Sequence, residues 1–159
     1  MTLGMELIPL LLMAPLLIWA GWSDATRMRI PNLISGLAIL LFLLCLPLLS
    51  WDEVGLRLIA ALVVLIVGIL TFALNLFGGG DVKLLGALTL FVPSISWALF
   101  ALVFALSMLL AIGFVLLVRA APWLKGSQWI VIRSPGTLPM GIAIALAGLA
   151  HPFVLNAIG

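Results

Sequence analysis

The stretch LLGALTLFVPSISWALFALVFALSMLLAIGFVLLV, residues 84–118, runs without a single charge from Lys83 to Arg119. It is too long for one membrane-spanning helix of about 20 residues and short for two. Pro93-Ser94-Ile95-Ser96 is the only turn chemistry inside it, so the break belongs there. A short fourth helix, Asp81 to Val92, then precedes a full fifth helix, Trp97 to Val118. At 1.5 Å per residue the fourth is about 18 Å long and does not reach across the apolar core by itself. Upstream, the apolar segments Leu3–Trp22, Leu33–Leu49 and Leu58–Phe77 each suit a spanning helix, with polar connectors at Ser23–Asn32 and Ser50–Arg57. Downstream, a polar connector from Arg119 to Thr137 leads into a sixth helix, Leu138 to Asn156, with Pro139 near its first turn, where proline is tolerated. The expected fold is all-α: a polytopic membrane protein of six transmembrane helices with a short fourth helix, forming one membrane-embedded domain over residues 1–159.

Composition points the same way. Of the 159 residues 66% are hydrophobic and 8% charged, whereas roughly a quarter of the residues of a soluble domain are charged. The apolar run from Leu7 to Gly21 lacks a basic region before it and a small-residue cleavage site after it, so it is expected to stay as a helix of the mature chain. A formal charge of +2, with no basic run, gives no footing for nucleic acid. The single cysteine, Cys45, lies within an apolar segment, which excludes an intrachain disulfide and a cysteine metal cluster. Membrane lipid is the expected surrounding, with no cofactor and no metal.

The placement of charge orients the chain, because Lys and Arg concentrate on the cytoplasmic side. Arg27 and Arg29 follow helix one, Lys83 follows helix three, and Arg119, Lys125 and Arg133 follow helix five; only Arg57 falls on the opposite side. Both chain ends are therefore expected outside, with those three connectors in the cytoplasm. The same topology sorts the five acids. Glu6, Asp52 and Glu53 fall on the outer side, while Asp24 and Asp81 meet at the cytoplasmic boundary.

Two carboxylates at separate helix ends on one face can act as an aspartic dyad. Like charges a few ångströms apart do not both ionise, so one carboxyl keeps a proton as general acid while the other activates water. Asp81 follows Gly78-Gly79-Gly80, and glycine allows positive φ and close backbone approach, as alignment of an extended peptide beside the acid requires. Asp81 also stands where a helix N-cap would, so the helix dipole favours its ionised form and makes it the expected readily ionised partner. A plainer alternative has Asp81 only capping helix four, Asp24 only ending helix one beside Arg27, and the glycines only making a turn. Lys83 either neutralises the dyad, holds an acidic substrate group, or extends to the interface. His151, the only histidine, is expected as an interfacial residue near the outer end of helix six. The six tryptophans fall mostly near helix ends, as an aromatic belt places them.

Gly78-Gly79-Gly80-Asp81 with Lys83-Leu84 resembles the Gly-x-Gly-Asp-x-Lys motif of the type IV prepilin peptidases, a family of membrane aspartic peptidases. Asp24 through Arg27, Arg29 and Ile30-Pro31-Asn32 resembles that family's first motif, and Leu138-Pro139-Met140-Gly141-Ile142-Ala143 its entry to the final helix. The resemblance implies Asp24 and Asp81 as the catalytic pair, with Gly78, Gly79, Gly80 and Lys83 as supporting or substrate-binding residues. It implies a prepilin or pseudopilin precursor as substrate, cleaved between basic leader and apolar helix at the cytoplasmic face of a prokaryotic inner membrane. Larger members carry an N-terminal cysteine-cluster region and also methylate the new N-terminus; the early position of Asp24 and the lone cysteine argue against methylation. The compact form is similar to peptidases of tight-adherence (Flp-type) pilus systems and to archaeal preflagellin peptidases. Two other classes stay open from the residues alone: a small proton- or cation-coupled transporter, and a non-catalytic scaffold of a secretion system. Against transport, the two acids lie at one boundary rather than near the midplane.

Overall fold

A computed structural model describes residues 3–120 and 140–158, and its regular elements are helices, with no strand among the described residues. In chain order they are α1 (Leu3–Arg27), α2 (Asn32–Cys45), α3 (Trp51–Ala73), α4 (Gly79–Thr89), α5 (Trp97–Ala120) and α6 (Met140–Ile158). The expected break at Pro93 is present, and a 3₁₀ turn, Ser94–Ser96, leads from it into α5. Leu138, Pro139, Lys125 and Arg133 lie outside the described residues.

Several boundaries differ from the expected ones. Helix α1 continues past Trp22 to Arg27, where Met28 takes a left-handed φ of 50° and donates its N–H to Asp24 O at 2.8 Å. This is the single-bond left-handed helix ending, here made without glycine. Helix α3 starts at Trp51, well before the expected Leu58, because Ser50 caps it: its Oγ accepts the Glu53 N–H at 3.3 Å. Asp52, Glu53 and Arg57 are consequently helical residues and not connector residues. Helix α2 gives way after Cys45 to a 3₁₀ turn, Leu46–Leu48. Pro47 has no N–H to continue the α-helical ladder.

Among the described residues, four helices are long and apolar enough to cross a membrane: α1 from Met5, α3, α5 with its preceding turn, and α6. Against the expected six spans, the described residues form six helices of which these four have spanning length, since Pro47 shortens α2 and α4 has 11 residues. The chain is thus a polytopic helical membrane protein. The outer face of α3 presents Leu58, Ile59, Leu62, Ile66 and Leu70 to the surroundings, as contact with lipid tails requires.

Helix α4 occupies the middle, packed on α2, α3 and α6, while α6 packs on α1, α5 and α4. Leu84 and Leu88 of α4, Leu17 of α1 and Ile144 of α6 are fully or almost fully buried in one core. Lipid tails are as apolar as these side chains, so close van der Waals packing through small residues holds such helices together. At Gly86 an added Cβ would lie 2.5 Å from Leu65 Cδ2, which places the α3 and α4 backbones too close for any larger residue without repacking.

The end of the bundle remote from the first turn of α4 is tied by a buried ion pair. Arg57 has no exposed surface; its Nε donates to Glu53 Oε1 at 2.8 Å, Nη1 to Phe91 O at 3.2 Å and Leu90 O at 3.4 Å, and Nη2 to Glu6 O at 3.2 Å. Glu53 also accepts the Ser94 N–H at 2.8 Å and the Ser94 hydroxyl at 2.6 Å. Arg57 therefore satisfies carbonyls just beyond the C-terminus of α4 in a region without water, where each orphan would cost several kcal/mol. His151 belongs to the same end but is not interfacial: it is fully buried, its Nε2 2.9 Å from Ser96 Oγ and its ring edge-on to Phe100. Ser96 supplies the polar partner that lets an imidazole enter the core.

Removing the carboxylate alone leaves the guanidinium buried without its counter-charge. Glu53→Ala is expected to destabilise the protein by about 3–5 kcal/mol, measured by denaturant unfolding in detergent. A change below about 1 kcal/mol, the range of an exposed pair, would show that Arg57 does not depend on Glu53.

Candidate active site

Asp24 and Asp81 are brought together by two consecutive short segments. Helix α1 carries Asp24 inward in its last turns, where only 5% of the residue is exposed. After Met28 the chain turns back, and the Ser23 hydroxyl donates to Arg29 O at 2.7 Å, tying the returning strand of chain to the helix. Ile30 then lies against the first turn of α4. A Cβ on Gly80 would sit 3.2 Å from Ile30 Cβ and 3.4 Å from Ile30 O, so this glycine allows the close backbone approach. Pro31 follows with φ −59° and opens α2.

The glycine run does its work by small size and not by left-handed backbone. None of Gly78, Gly79 and Gly80 has positive φ; that conformation occurs at Met28 and Asn75 instead. Gly78 is the N-cap of α4, with Gly79 and Gly80 opening its first turn. Asp81 is accordingly the third helical residue and not the N-cap. Its Oδ2 accepts the Gly78 N–H at 3.2 Å, the reach-back half of a capping box.

Asp81 is partly exposed. Burial holds its carboxyl above the ordinary carboxylate value of 3.8, and the Gly78 N–H bond opposes that rise by favouring the charged form. Asp24 differs. Its Oδ2 is buried with no hydrogen-bond partner among the described residues. The charge of Asp81 reaches it, and the backbone N–H groups of Gly141 and Ile142, in the first turn of α6, also bear on its carboxylate. The site thus joins a buried acid with a free oxygen to a half-exposed acid held by one backbone donor.

Lys83 extends along the outside. Its Nζ donates to Asn32 Oδ1 at 3.0 Å, joining α4 to the first residue of α2, and it forms no ion pair with either aspartate among the described residues. Beyond this pair, α2, α3 and α4 border an open apolar groove of about 600 Å³ whose lining includes Ser35, Gly36, Ala61, Gly86 and Leu90. Arg27 and Arg29 are exposed. Among the described residues no three His, Cys, Asp or Glu side chains converge on one point.

Two contributors were not expected from sequence, Ser23 and the Gly141 turn. A serine beside the acid is a signal too common to single out, since serine frequently bonds nearby backbone. The contact with α6 spans more than a hundred residues, and the Leu138–Ala143 resemblance marks a helix entry without indicating that Gly141 meets Asp24.

Acid–base chemistry on a water is within reach of such a pair, one carboxyl protonated and the other ionised. The type IV leader peptidase family model matches residues 11–116, a stretch that contains both aspartates and ends before α6. No curated protein and no solved structure matches the chain.

The position of Asp81 has a measurable consequence for stability. Its proton is held more tightly in the folded chain than in the unfolded one, so its contribution is fully present below 3.8 and is lost as pH rises through the raised folded value. Asp81→Asn is expected to remove that part of the loss. Unfolding midpoints in detergent across this window should then fall less steeply with pH for the variant than for the parent; equal slopes would mean that Asp81 is not held in a desolvated site.

Proposed function

Because the chain belongs to the type IV leader peptidase family, we propose that it is a membrane aspartic endopeptidase acting through Asp24 and Asp81. Its substrate is a pilin-like precursor, prepilin or pseudopilin, of the Flp type, and the bond cut joins the basic leader to the apolar helix at the membrane boundary. The single feature that carries this proposal is the meeting of two acids from the last turns of α1 and the first turn of α4, with Asp81 near enough for its charge to reach Asp24. Charged residues at membrane depth are costly to keep and commonly functional.

In the proposed cycle Asp81, half-exposed and holding the Gly78 N–H bond, is the ionised base. It takes a proton from a water as that water attacks the scissile carbonyl carbon. Protonated Asp24, in the buried position, gives its proton to the carbonyl oxygen, which leaves a neutral tetrahedral diol. Collapse of the diol breaks the C–N bond: a hydroxyl proton returns to Asp24 and the proton on Asp81 passes to the departing amine. The dyad is then restored. Gly80 lets Ile30 lie against the first turn of α4 and so supports Asp81, with Gly78 and Gly79 opening that turn, and Lys83 stands nearby as a contact for an acidic substrate group.

All six helices are assigned to one membrane domain in a prokaryotic inner membrane. Arg27, Arg29 and Lys83 mark the cytoplasmic end that holds the dyad, and both termini lie on the other side. A basic leader reaches such a site from the cytoplasm while its apolar helix remains in lipid. N-methylation is not part of this proposal.

Mixing the purified, detergent-solubilised protein with Flp-type precursors should yield a product shortened by its leader. Asp24→Asn and Asp81→Asn are each expected to lower the cleavage rate by about 10²–10⁴-fold. Undiminished cleavage in either variant would remove that residue from the mechanism. Ion or proton movement in liposomes with no cleavage would replace the peptidase by a transporter.

A further inference from the structure

The contact between α1 and the start of α6 carries a second assignment. An added Cβ at Gly141 would lie 2.8 Å from Asp24 Cβ, 2.8 Å from its Oδ2 and 2.9 Å from its Cγ. Three atoms of one short side chain block the position at once. A carboxylate with two rotatable bonds on a buried helix has few other rotamers, and its Cβ cannot move without the backbone. Gly148, two turns further along α6, provides the contrast. A Cβ there would meet Leu17 Cδ1 at 2.6 Å and the two Leu88 δ-carbons at 3.1 and 3.2 Å, the far ends of flexible side chains.

The oxygen nearest the missing Cβ is the same Oδ2 that is buried without a hydrogen-bond partner among the described residues. An unpaired carboxylate oxygen in a dry interior is expensive unless something else compensates for it. Here it lies beside the N-terminal turn of a 19-residue helix, where partial positive charge gathers, and the N–H groups of Gly141 and Ile142 bear on the carboxylate to which it belongs. The carboxylate is therefore seated against α6 backbone, within reach of the charge of Asp81.

We infer that Gly141 is a positioning residue for the dyad: lacking a side chain, it lets the first turn of α6 bear directly on the Asp24 carboxylate and fixes the rotamer in which that carboxyl is held. This rests on the peptidase proposal above. It also gives a physical role to a helix outside the residues that the family model matches. Gly141 does not touch the reacting atoms. It acts through Asp24, so its loss should alter the chemical step and spare the binding of precursor.

The test compares Gly141→Ala with Gly148→Ala in the full chain, on two readouts. In cleavage of a pilin-type precursor, Gly141→Ala is expected to lower kcat by about 100-fold with KM within about threefold, as misplacement of a catalytic group by about 1 Å does. Gly148→Ala, matched for unfolding midpoint, should keep kcat within about threefold, because its neighbours can rotate away. In the second readout, labelling of Asp24 by a hydrophobic carbodiimide, mapped by mass spectrometry, should rise in Gly141→Ala and not in Gly148→Ala. Unchanged labelling, parental kcat in Gly141→Ala, or an equal kcat loss in both variants would each overturn the assignment. Should the parent cleave no precursor, the peptidase proposal fails by itself, and the labelling comparison still decides whether Gly141 holds Asp24.

Discussion

The guanidinium of Arg57 on the carbonyls of Leu90 and Phe91 is the interaction on which the remaining architecture depends. A helix that ends inside a bilayer exposes carbonyls that no water can satisfy. Helix α4 is 11 residues long and packed among α2, α3 and α6, and the carbonyls just past its end are buried against Arg57. A buried cation just past its C-terminus satisfies those groups and is favoured by the helix dipole. Glu53 balances the charge, and Ser94 binds Glu53 in turn, so the turn into α5 is held by the same knot. With that end secured, the first turn of α4 can stop short of the opposite boundary and present Asp81 among neighbouring helices.

The two ends of α4 solve one problem in opposite ways. At the Arg57 end the Leu90 and Phe91 carbonyls and both Glu53 oxygens find partners, which suits a structural tie, while His151 Nδ1 and Trp97 Nε1 nearby are buried without one among the described residues. At the Asp24 end one buried oxygen is left without a hydrogen bond, beside a second carboxyl. Groups left unsatisfied in an interior are costly. What sets the Asp24 end apart is that its unpaired atom belongs to a carboxyl within reach of a second carboxyl's charge.

How much of this was legible in sequence follows from which interactions are local. Pro93 and the uncharged stretch around it placed the break between α4 and α5, and Asp24 and Asp81 fell at one end because charges sort by side. The start of α3 was also written locally, as Ser50 followed by Glu53, but the cluster Asp52, Glu53 and Arg57 looks equally like a solvated connector until the partners on α4 are known. The ending of α1 carried no such mark, since Met28 is not a residue that favours positive φ. At Gly80 the close approach is to Ile30 of the same chain, and the positive φ expected of glycines 78–80 is absent. His151 and Arg57 could not be placed in the core from sequence because their partners, Ser96 and the Leu90 and Phe91 carbonyls, are set by tertiary packing.

The early ending of α2 at Pro47 has an effect beyond the protein itself. With its 3₁₀ turn, the helix from Asn32 to Leu48 presents an apolar belt about 27 Å high, against about 35 Å along α3. Lipids on the α2 side meet this shallower belt, and a bilayer fits such a segment by thinning or by letting flanking polar groups reach outward. Lys83 and Asn32 stand at that rim. A bilayer thinned on this flank would bring headgroups and water toward the first turn of α4.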